Sequence, residues 1–216
     1  LAGFGNHGDH NSGLIVGAGK LNSAGEGSAN SASLYTAQVY SILDSTPSFF
    51  NSYGMLVTNN SYGYTPATCS AFGVYNVYSS YVDAQLRSYP KVLHFFAAAN
   101  NGSMSCAPYP SGFGSLESYF NIAKNAVMVG NVNNADSLYS TSSKGPAADG
   151  RIKPDIVGLG TGVLSTIPNN SYTTKTGTSH STPGVMGASM LLYERYKQLH
   201  HDSLPDGEFI KSALLL

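Results

Sequence analysis

The chain contains 216 residues with a formal net charge of -1, and 42% of its residues are hydrophobic. This length and composition allow one sizeable buried core and exclude a disordered chain. Charged residues make up only 11% of the chain, against about 25% in an ordinary soluble domain, so we expect no nucleic-acid partner. The sequence has no run of about 18 apolar residues, which excludes a membrane span within this segment.

Strand-like and helix-like patterns alternate along the chain. In chain order, we predict a strand at 32–40, a short helix at 46–53 with Pro47 in its first turn, a strand at 54–59, a helix at 75–89, buried strands at 92–99 and 126–130, and a helix at 185–199 after Pro183. This alternation predicts an α/β fold with three layers, in which a mostly parallel twisted sheet carries helices on both faces.

The domain organisation predicted from the sequence is simple. No internal repeat or linker is visible, so residues 1–216 are predicted to form a single domain. The sequence starts directly in a Gly-rich segment, and the helix pattern that begins at residue 209 is still incomplete at residue 216. We therefore expect a domain truncated at both ends, with its N-terminal strand or strands missing from this segment and a sheet edge left exposed.

Cys69 and Cys106 are the two cysteines. They form either a disulfide in an oxidising compartment or two buried free thiols. The composition is poor in charge and rich in Tyr, Asn and Ser, which favours a secreted protein and therefore the disulfide. A disulfide here stabilises the fold by about 3–4 kcal/mol, because it restricts the unfolded chain.

Three segments contain residue types suited to catalysis. They are residues 7–13, which open a helix-like run, residues 97–102, at the end of a buried strand, and residues 177–183, which open the last long helix. Taken singly, each has an ordinary explanation: surface histidines, a turn and a helix N-cap. A metal site at His7, Asp9 and His10 lacks the ligand set of a zinc signature, so no metal is assigned.

Taken together and in this order, the three segments resemble those of the subtilisin-like serine proteases (subtilases, the peptidase S8 family), of the secreted bacterial type. The family motif His-Gly-Thr-His-x-x-Gly is matched at 7–13, the Asn of Ala-Ala-Gly-Asn-x-Gly by Asn100 within 98–102, and Gly-Thr-Ser-Met-Ala-x-Pro at 177–183. Stretches between the motifs also look like the family, so the resemblance covers essentially the whole chain.

The resemblance implies a serine endopeptidase that hydrolyses peptide bonds in proteins or peptides through a Ser acyl-enzyme. Ser179 is then the nucleophile, His7 the general base and Asn100 an oxyanion-hole donor. The segment that looks like the family's substrate-flanking strand end assigns substrate binding to Ser61, Tyr62 and Gly63. Because no acidic cluster lies in these stretches, we expect an apolar or aromatic residue at the cleavage position.

The chain departs from the family pattern at several positions. The family order is Asp, His, Ser, but only six residues precede His7, so the catalytic Asp is expected upstream of residue 1. Asp9 replaces Thr in the first motif, Ala99 replaces Gly in the second, and His180 and Ser181 replace Met-Ala in the third. We expect His180 to fill the packed position of that Met.

These departures keep an alternative open: a catalytically impaired subtilase-like domain that binds a peptide or a partner. An α/β hydrolase is disfavoured, because its nucleophile precedes its histidine in the chain. No cofactor is assigned; structural Ca²⁺ is typical of the family, but no Asp-rich loop places it here. The expected location is secreted or on a bacterial cell surface, and the sequence assigns neither a physiological substrate nor an oligomeric state.

Overall fold

The computed structural model describes residues 5–39 and 41–216. In chain order, the helices and strands of this part are α1 (Gly5–Val16), α2 (Ser41–Tyr53), β1 (Val57–Asn60), α3 (Val77–Ser88), β2 (Leu93–Ala97), β3 (Val127–Val132), β4 (Ile156–Leu159), β5 (Val163–Ile167), β6 (Ser171–Lys175), α4 (Thr178–Leu199) and α5 (Gly207–Leu215).

Four of the strands form the central sheet. Their order is β1-β2-β3-β4 and every neighbouring pair is parallel, with Asn60 beside Phe96 and Ala97 beside Val129. All five residues of β2 are buried. This is the pattern of a parallel strand covered on both faces, and it confirms the predicted parallel sheet.

The sheet separates two hydrophobic cores. Phe95 belongs to the core that contains Tyr193 of α4, and Phe96 belongs to the core that contains Leu43 of α2 and Val82 of α3. Consecutive residues of a strand point to opposite faces, so β2 supplies one phenylalanine to each core. The predicted three-layer α/β architecture is confirmed.

The structure corrects some predicted elements. The predicted helix at 75–89 and the strands at 92–99 and 126–130 are present as α3, β2 and β3, while the strand predicted at 54–59 begins later, as β1. The strand predicted at 32–40 is wrong for 32–39, which are neither helix nor strand and are mostly exposed, with no neighbouring strand to pair with; Tyr40 lies outside the described residues.

Prolines lie deeper inside two helices than expected. Pro47 is inside α2, which begins at Ser41 instead of residue 46, and Pro183 is inside α4, which begins at Thr178. A proline has no N–H, so it leaves the carbonyl four residues earlier without its helical donor. In both helices a side chain from elsewhere donates instead: the Gln85 amide to the Leu43 carbonyl, and Ser61 Oγ to the Ser179 carbonyl at 2.8 Å.

An antiparallel hairpin of β5 and β6, absent from the sequence prediction, holds α1 in place. Ser165 Oγ donates to the His10 carbonyl at 2.8 Å and Thr166 Oγ1 to the Asp9 carbonyl at 3.0 Å. The helix approaches the hairpin closely at Gly13, where an added Cβ would lie 2.3 Å from each of these hydroxyl oxygens. The position of α1, which carries His7, therefore depends on this contact.

The predicted disulfide is confirmed. Cys69 and Cys106 form a disulfide across 37 positions of sequence, with their Cα atoms 5.3 Å apart. In the described ranges, no helix combines the length and apolar character that crossing a membrane requires.

Candidate active site

Ser179 is the second residue of α4 and is half-buried. The first turn of a helix leaves backbone N–H groups free and favours negative charge nearby, so this hydroxyl lies where an anionic intermediate is stabilised. Its Oγ donates to the Ser61 carbonyl at 3.3 Å, while Ser61 Oγ donates to the Ser179 carbonyl. These reciprocal bonds tie the start of α4 to the segment that follows β1.

Asn100 follows the carboxyl end of β2 and is exposed. Its Oδ1 accepts from the Thr178 backbone N–H at 3.0 Å and from Thr178 Oγ1 at 3.3 Å. Since the oxygen is engaged by α4, the Nδ2 group faces away from these donors, and none of the described residues accepts a hydrogen bond from it. An amide donor is therefore available beside Ser179.

Asn100 and Ser179 line one small pocket, of about 160 Å³, together with Tyr62 and Gly63. The structure thus brings together the sequence-predicted nucleophile, the oxyanion donor and two of the three substrate-flanking residues. Ser61 is buried at 7% exposure, and its hydroxyl and carbonyl are both bonded to Ser179. Ser61 therefore contacts the backbone carbonyl and the hydroxyl of Ser179.

His7 lies in the first turn of α1, on the neighbouring side of the same region. It lines a second and larger cleft, of about 600 Å³, which Ser61 and Tyr62 also line. No hydrogen bond among the described residues joins His7 to Ser179, whose Oγ bonds to the Ser61 carbonyl. Tyr62 faces both cavities, so the predicted base and the predicted nucleophile lie on adjoining cavities.

Three imidazoles gather around His180, the residue after Ser179, and the sequence prediction missed this cluster. The His180 ring is 5.3 Å from the His7 ring and 4.6 Å from the His10 ring, centre to centre. His180 is buried, as expected of a packed residue, and it also makes a polar contact, since its Nδ1 lies 3.0 Å from Asn11 Oδ1. Asn11 Nδ2 in turn lies 3.5 Å from His7 Nδ1. The 7-to-11 spacing places both residues on one helix face, a signal that was available in the sequence.

The pKa of each of these imidazoles is lowered, which favours the neutral form. Burial lowers the pKa of His180 to about 3, with the two other imidazoles and Lys175 acting in the same direction. Desolvation, and then the charge of Lys175, lower the pKa of His7. Desolvation is also the largest cause that lowers the pKa of His10, whose Nδ1 is buried without a partner. A neutral imidazole can accept a proton, as a general base must.

No ion pair or hydrogen bond within the described part of the chain joins His7 to a carboxylate. Asp9 contacts the hairpin through its backbone carbonyl. The structure therefore offers His7 one side-chain hydrogen-bonding neighbour, Asn11. Within residues 5–39 and 41–216, no group of three or more His, Cys, Asp or Glu side chains is arranged to hold a metal ion.

Glu117 was not identified from the sequence, although it lines the small pocket with Ser179 and Asn100. It is 7% exposed, and its Oε1 accepts from Thr65 Oγ1 at 2.6 Å and from Asn101 Nδ2 at 3.4 Å. The expectation of an apolar or aromatic residue at the cleavage position was drawn without this carboxylate. It lies far from the motifs in sequence, so only the fold brings it to the site.

Two relatives match parts of the chain. A 64-residue stretch is 45% identical to part of the C5a peptidase of Streptococcus pyogenes, covering 30% of this chain and 6% of that protein. An 89-residue alignment is 35% identical to part of the PII-type proteinase of Lactococcus lactis subsp. cremoris, covering 36% of this chain and 5% of that protein. The matches thus span a small fraction of each relative's length.

Solved structures share the fold over nearly the whole chain. The CspB protease of Clostridium perfringens is similar with a TM-score of 0.78 at 16% identity, over 97% of this chain and 74% of that one. The prenylagaramide maturation protease PagA is similar with a TM-score of 0.68 at 19% identity, over 99% of this chain and 72% of that one. A family model described as "Subtilase family" matches residues 2–215.

Proposed function

The chain belongs to the subtilase family, and on this premise we propose that it is a serine endopeptidase with Ser179 as nucleophile, His7 as general base and Asn100 as oxyanion donor. The observation that carries the proposal is the small pocket that Ser179 and Asn100 both line, beside an Asn100 amide whose oxygen is held by Thr178. A pairing of this kind suits attack on a carbonyl, whose oxygen becomes negative as the bond forms.

The proposed reaction proceeds through an acyl-enzyme. Ser179 Oγ attacks the scissile carbonyl carbon while its proton passes to His7, and the oxyanion accepts hydrogen bonds from Asn100 Nδ2 and the Ser179 backbone N–H. When the C–N bond breaks, His7 gives the proton to the leaving amine. Water then hydrolyses the Ser179 ester with His7 again as base, which restores the hydroxyl and releases the acid.

This mechanism needs Ser179 Oγ to leave the Ser61 carbonyl and turn toward His7. The bond from Ser179 Oγ to the Ser61 carbonyl is 3.3 Å, which is long for an O–H···O bond. One rotation about χ1 of Ser179 redirects the hydroxyl. His7 then replaces the Ser61 carbonyl as the acceptor of the Ser179 O–H, which leaves an Oγ lone pair for the scissile carbonyl carbon.

We place the third member of the triad, a carboxylate that accepts from His7 Nδ1, on a segment upstream of residue 1. Two observations support this location: no carboxylate in the described part of the chain contacts His7, and β1 pairs there with β2 alone. Residues 55–59 line the larger cleft beside His7, so a strand added along β1 would bring its carboxyl end toward the imidazole. Loss of such a carboxylate costs about 10⁴ in kcat in a serine protease that has the same triad on an unrelated fold.

A second candidate is a catalytically impaired domain that binds a peptide or a partner. The observation that favours it is the Asn11 amide beside His7 Nδ1. An amide N–H directed at Nδ1 favours the tautomer with the proton on Nε2, which cannot accept the Ser179 proton. The two candidates therefore differ in whether a carboxylate reaches this nitrogen in the whole protein.

We propose that the protein acts outside the cytoplasm, secreted or on the bacterial cell surface. The disulfide between Cys69 and Cys106 supports this, because such bonds persist in oxidising compartments. The substrates are then extracellular proteins or peptides.

The deciding experiment is labelling of the full-length protein with a fluorophosphonate probe, followed by casein hydrolysis. We expect labelling of the wild type and of Ser137→Ala, a control at an exposed loop serine, and none of Ser179→Ala. Equal labelling of wild type and Ser179→Ala would reject the nucleophile. If the protein folds but is not labelled and does not cleave casein, and its upstream segment lacks an Asp, the result favours the binding domain instead.

A further inference from the structure

We propose that Glu117 makes the protein select a basic residue, lysine or arginine, on the acyl side of the bond it cleaves. This inference rests on the proposed function, and it adds a substrate class to it. It starts from the small pocket, which contains the nucleophile, the oxyanion donor and a buried carboxylate.

The carboxylate of Glu117 is only half satisfied by the protein. Both described donors, Thr65 Oγ1 and Asn101 Nδ2, reach Oε1. The described residues give Oε2 no hydrogen bond, and no salt bridge among them involves Glu117. A carboxylate that is 93% buried without a cation is costly, so a ligand that supplies N–H donors and positive charge gains the most here.

The free oxygen lies against the pocket wall at Gly63. An added Cβ on Gly63 would come within 1.8 Å of Glu117 Oε2, so any other residue at this position would displace the carboxylate. The Asn121 atom nearest this position is Nδ2, at 3.1 Å, and it already donates to the Tyr62 and Ala97 carbonyls. Glu117 Oε2 is therefore the acceptor beside Gly63 that is left for the N–H donors of a ligand.

The position of the pocket determines which substrate residue enters it. Ser179 attacks the carbonyl carbon and Asn100 binds its oxygen, and both line this pocket. The Cα of the substrate residue that contributes this carbonyl is bonded directly to the carbonyl carbon. The side chain of that residue is therefore the one within reach of Glu117. The volume of about 160 Å³ equals that of about five water molecules in the liquid, which suits a single unbranched side chain.

The binding test does not depend on catalysis. The probes are n-butylguanidinium and n-butylammonium, which mimic the arginine and lysine side chains, with 1-pentanol as the neutral comparison, titrated into the Ser179→Ala variant by calorimetry. We expect the cations to bind, and Ser179→Ala/Glu117→Gln to weaken them about 10- to 100-fold, the range of a hydrogen bond to a charged group. The Gln side chain retains an acceptor for Thr65 and Asn101.

The matched control is Ser179→Ala/Glu194→Gln, which changes an exposed glutamate on α4 and should bind the cations as Ser179→Ala does. Failure of both cations to bind, or equal binding after Glu117→Gln, overturns the proposal even if Ser179 proves to be the nucleophile.

The catalytic test compares peptides that differ only in Lys, Arg, Met or Glu before the scissile bond. We expect kcat/KM to favour Lys and Arg over Met by 10-fold or more in the wild type and in Glu194→Gln, and Glu117→Gln to abolish this preference. Glu117→Lys should turn the preference toward Glu. A wild type that prefers Met contradicts the inference, whereas cation binding by a protein that fluorophosphonate does not label rejects the proposed protease and retains the basic-residue pocket.

Discussion

The proposed nucleophile and the proposed base are held in very different ways. On the nucleophile side, Ser179, Asn100 and Ser61 lie at element ends that are tied together by hydrogen bonds of 2.8–3.3 Å. On the base side, His7 is exposed and its side-chain hydrogen-bonding contact is Asn11 at 3.5 Å. The sheet and α4 therefore fix the positions of Ser179, Asn100 and Ser61. The position of His7 depends instead on the contact of α1 with the β5–β6 hairpin and on groups that complete the larger cleft.

The largest effect is expected from breaking the nucleophile side at Asn100. Asn100→Ala removes the oxyanion donor, and removal of such a donor in subtilisin, for which the cost is already known, lowers kcat by about 10²–10³. It also removes the acceptor of the Thr178 N–H. The measurement is kcat and KM on one peptide, with Asn134→Ala at an exposed loop position as control. A change in KM alone would show that Asn100 binds substrate and does not stabilise the transition state.

Gly13→Ala tests the base side through its packing. The new methyl would lie 2.3 Å from the hydroxyl oxygens of Ser165 and Thr166, and such overpacking costs about 1–3 kcal/mol. Urea unfolding should show this loss, together with a fall in activity as α1 shifts. The control is Gly184→Ala inside α4, where an added Cβ meets nothing within 4 Å; it should stabilise the protein by about 0.5–1 kcal/mol. If the two variants unfold alike, the α1 contact is not tight.

A third prediction concerns how Ser61 supports the nucleophile. Ser61→Ala should cost about 1 kcal/mol, because the Ser179 carbonyl then has neither a helical donor, owing to Pro183, nor the Ser61 hydroxyl. Pro183→Ala returns a backbone N–H to that carbonyl.

The two changes should therefore be coupled, with Ser61→Ala costing less in the Pro183→Ala background. A double-mutant cycle on unfolding free energies measures this coupling. Additive costs would mean that the Ser61 bond is not a replacement for the missing helical donor.

The sequence predicted one side of the site better than the other. Asn100 and Ser179 lie at the end of a buried strand and the start of a long helix, so local patterns predicted their elements. Their convergence at one edge of a parallel sheet was predicted from the resemblance to the subtilases together with the location of sites at such edges. The contacts of Asn11 with His180 and of Glu117 with Thr65 span 169 and 52 positions of sequence, which no local pattern encodes, whereas the four-residue spacing of His7 and Asn11 was present in the sequence. The same holds for the predicted strand at 32–39, where the residue types of a strand were present but no strand pairing formed.

The last prediction concerns acid, which should act on the nucleophile side through His94. This residue is fully buried between β1 and α3, with Nδ1 2.7 Å from Thr58 Oγ1 and Nε2 2.9 Å from Gln85 Oε1, and burial lowers its pKa to about 3. Between pH 6.5 and 3 the unfolded imidazole binds a proton that the folded one does not. The unfolding free energy should therefore fall as the pH falls, with a limiting slope of about 1.4 kcal/mol per pH unit for this proton.

His180, whose pKa is also about 3, adds a second proton of the same sign on the base side. Urea unfolding at several pH values should show a shallower slope for His94→Gln and for His180→Met than for the wild type. His201→Gln, at an exposed position, should keep the full slope. A wild-type slope in both His94→Gln and His180→Met would mean that other groups cause the acid sensitivity. A shallower slope in His180→Met alone would assign the sensitivity to the imidazole cluster of His7, His10 and His180.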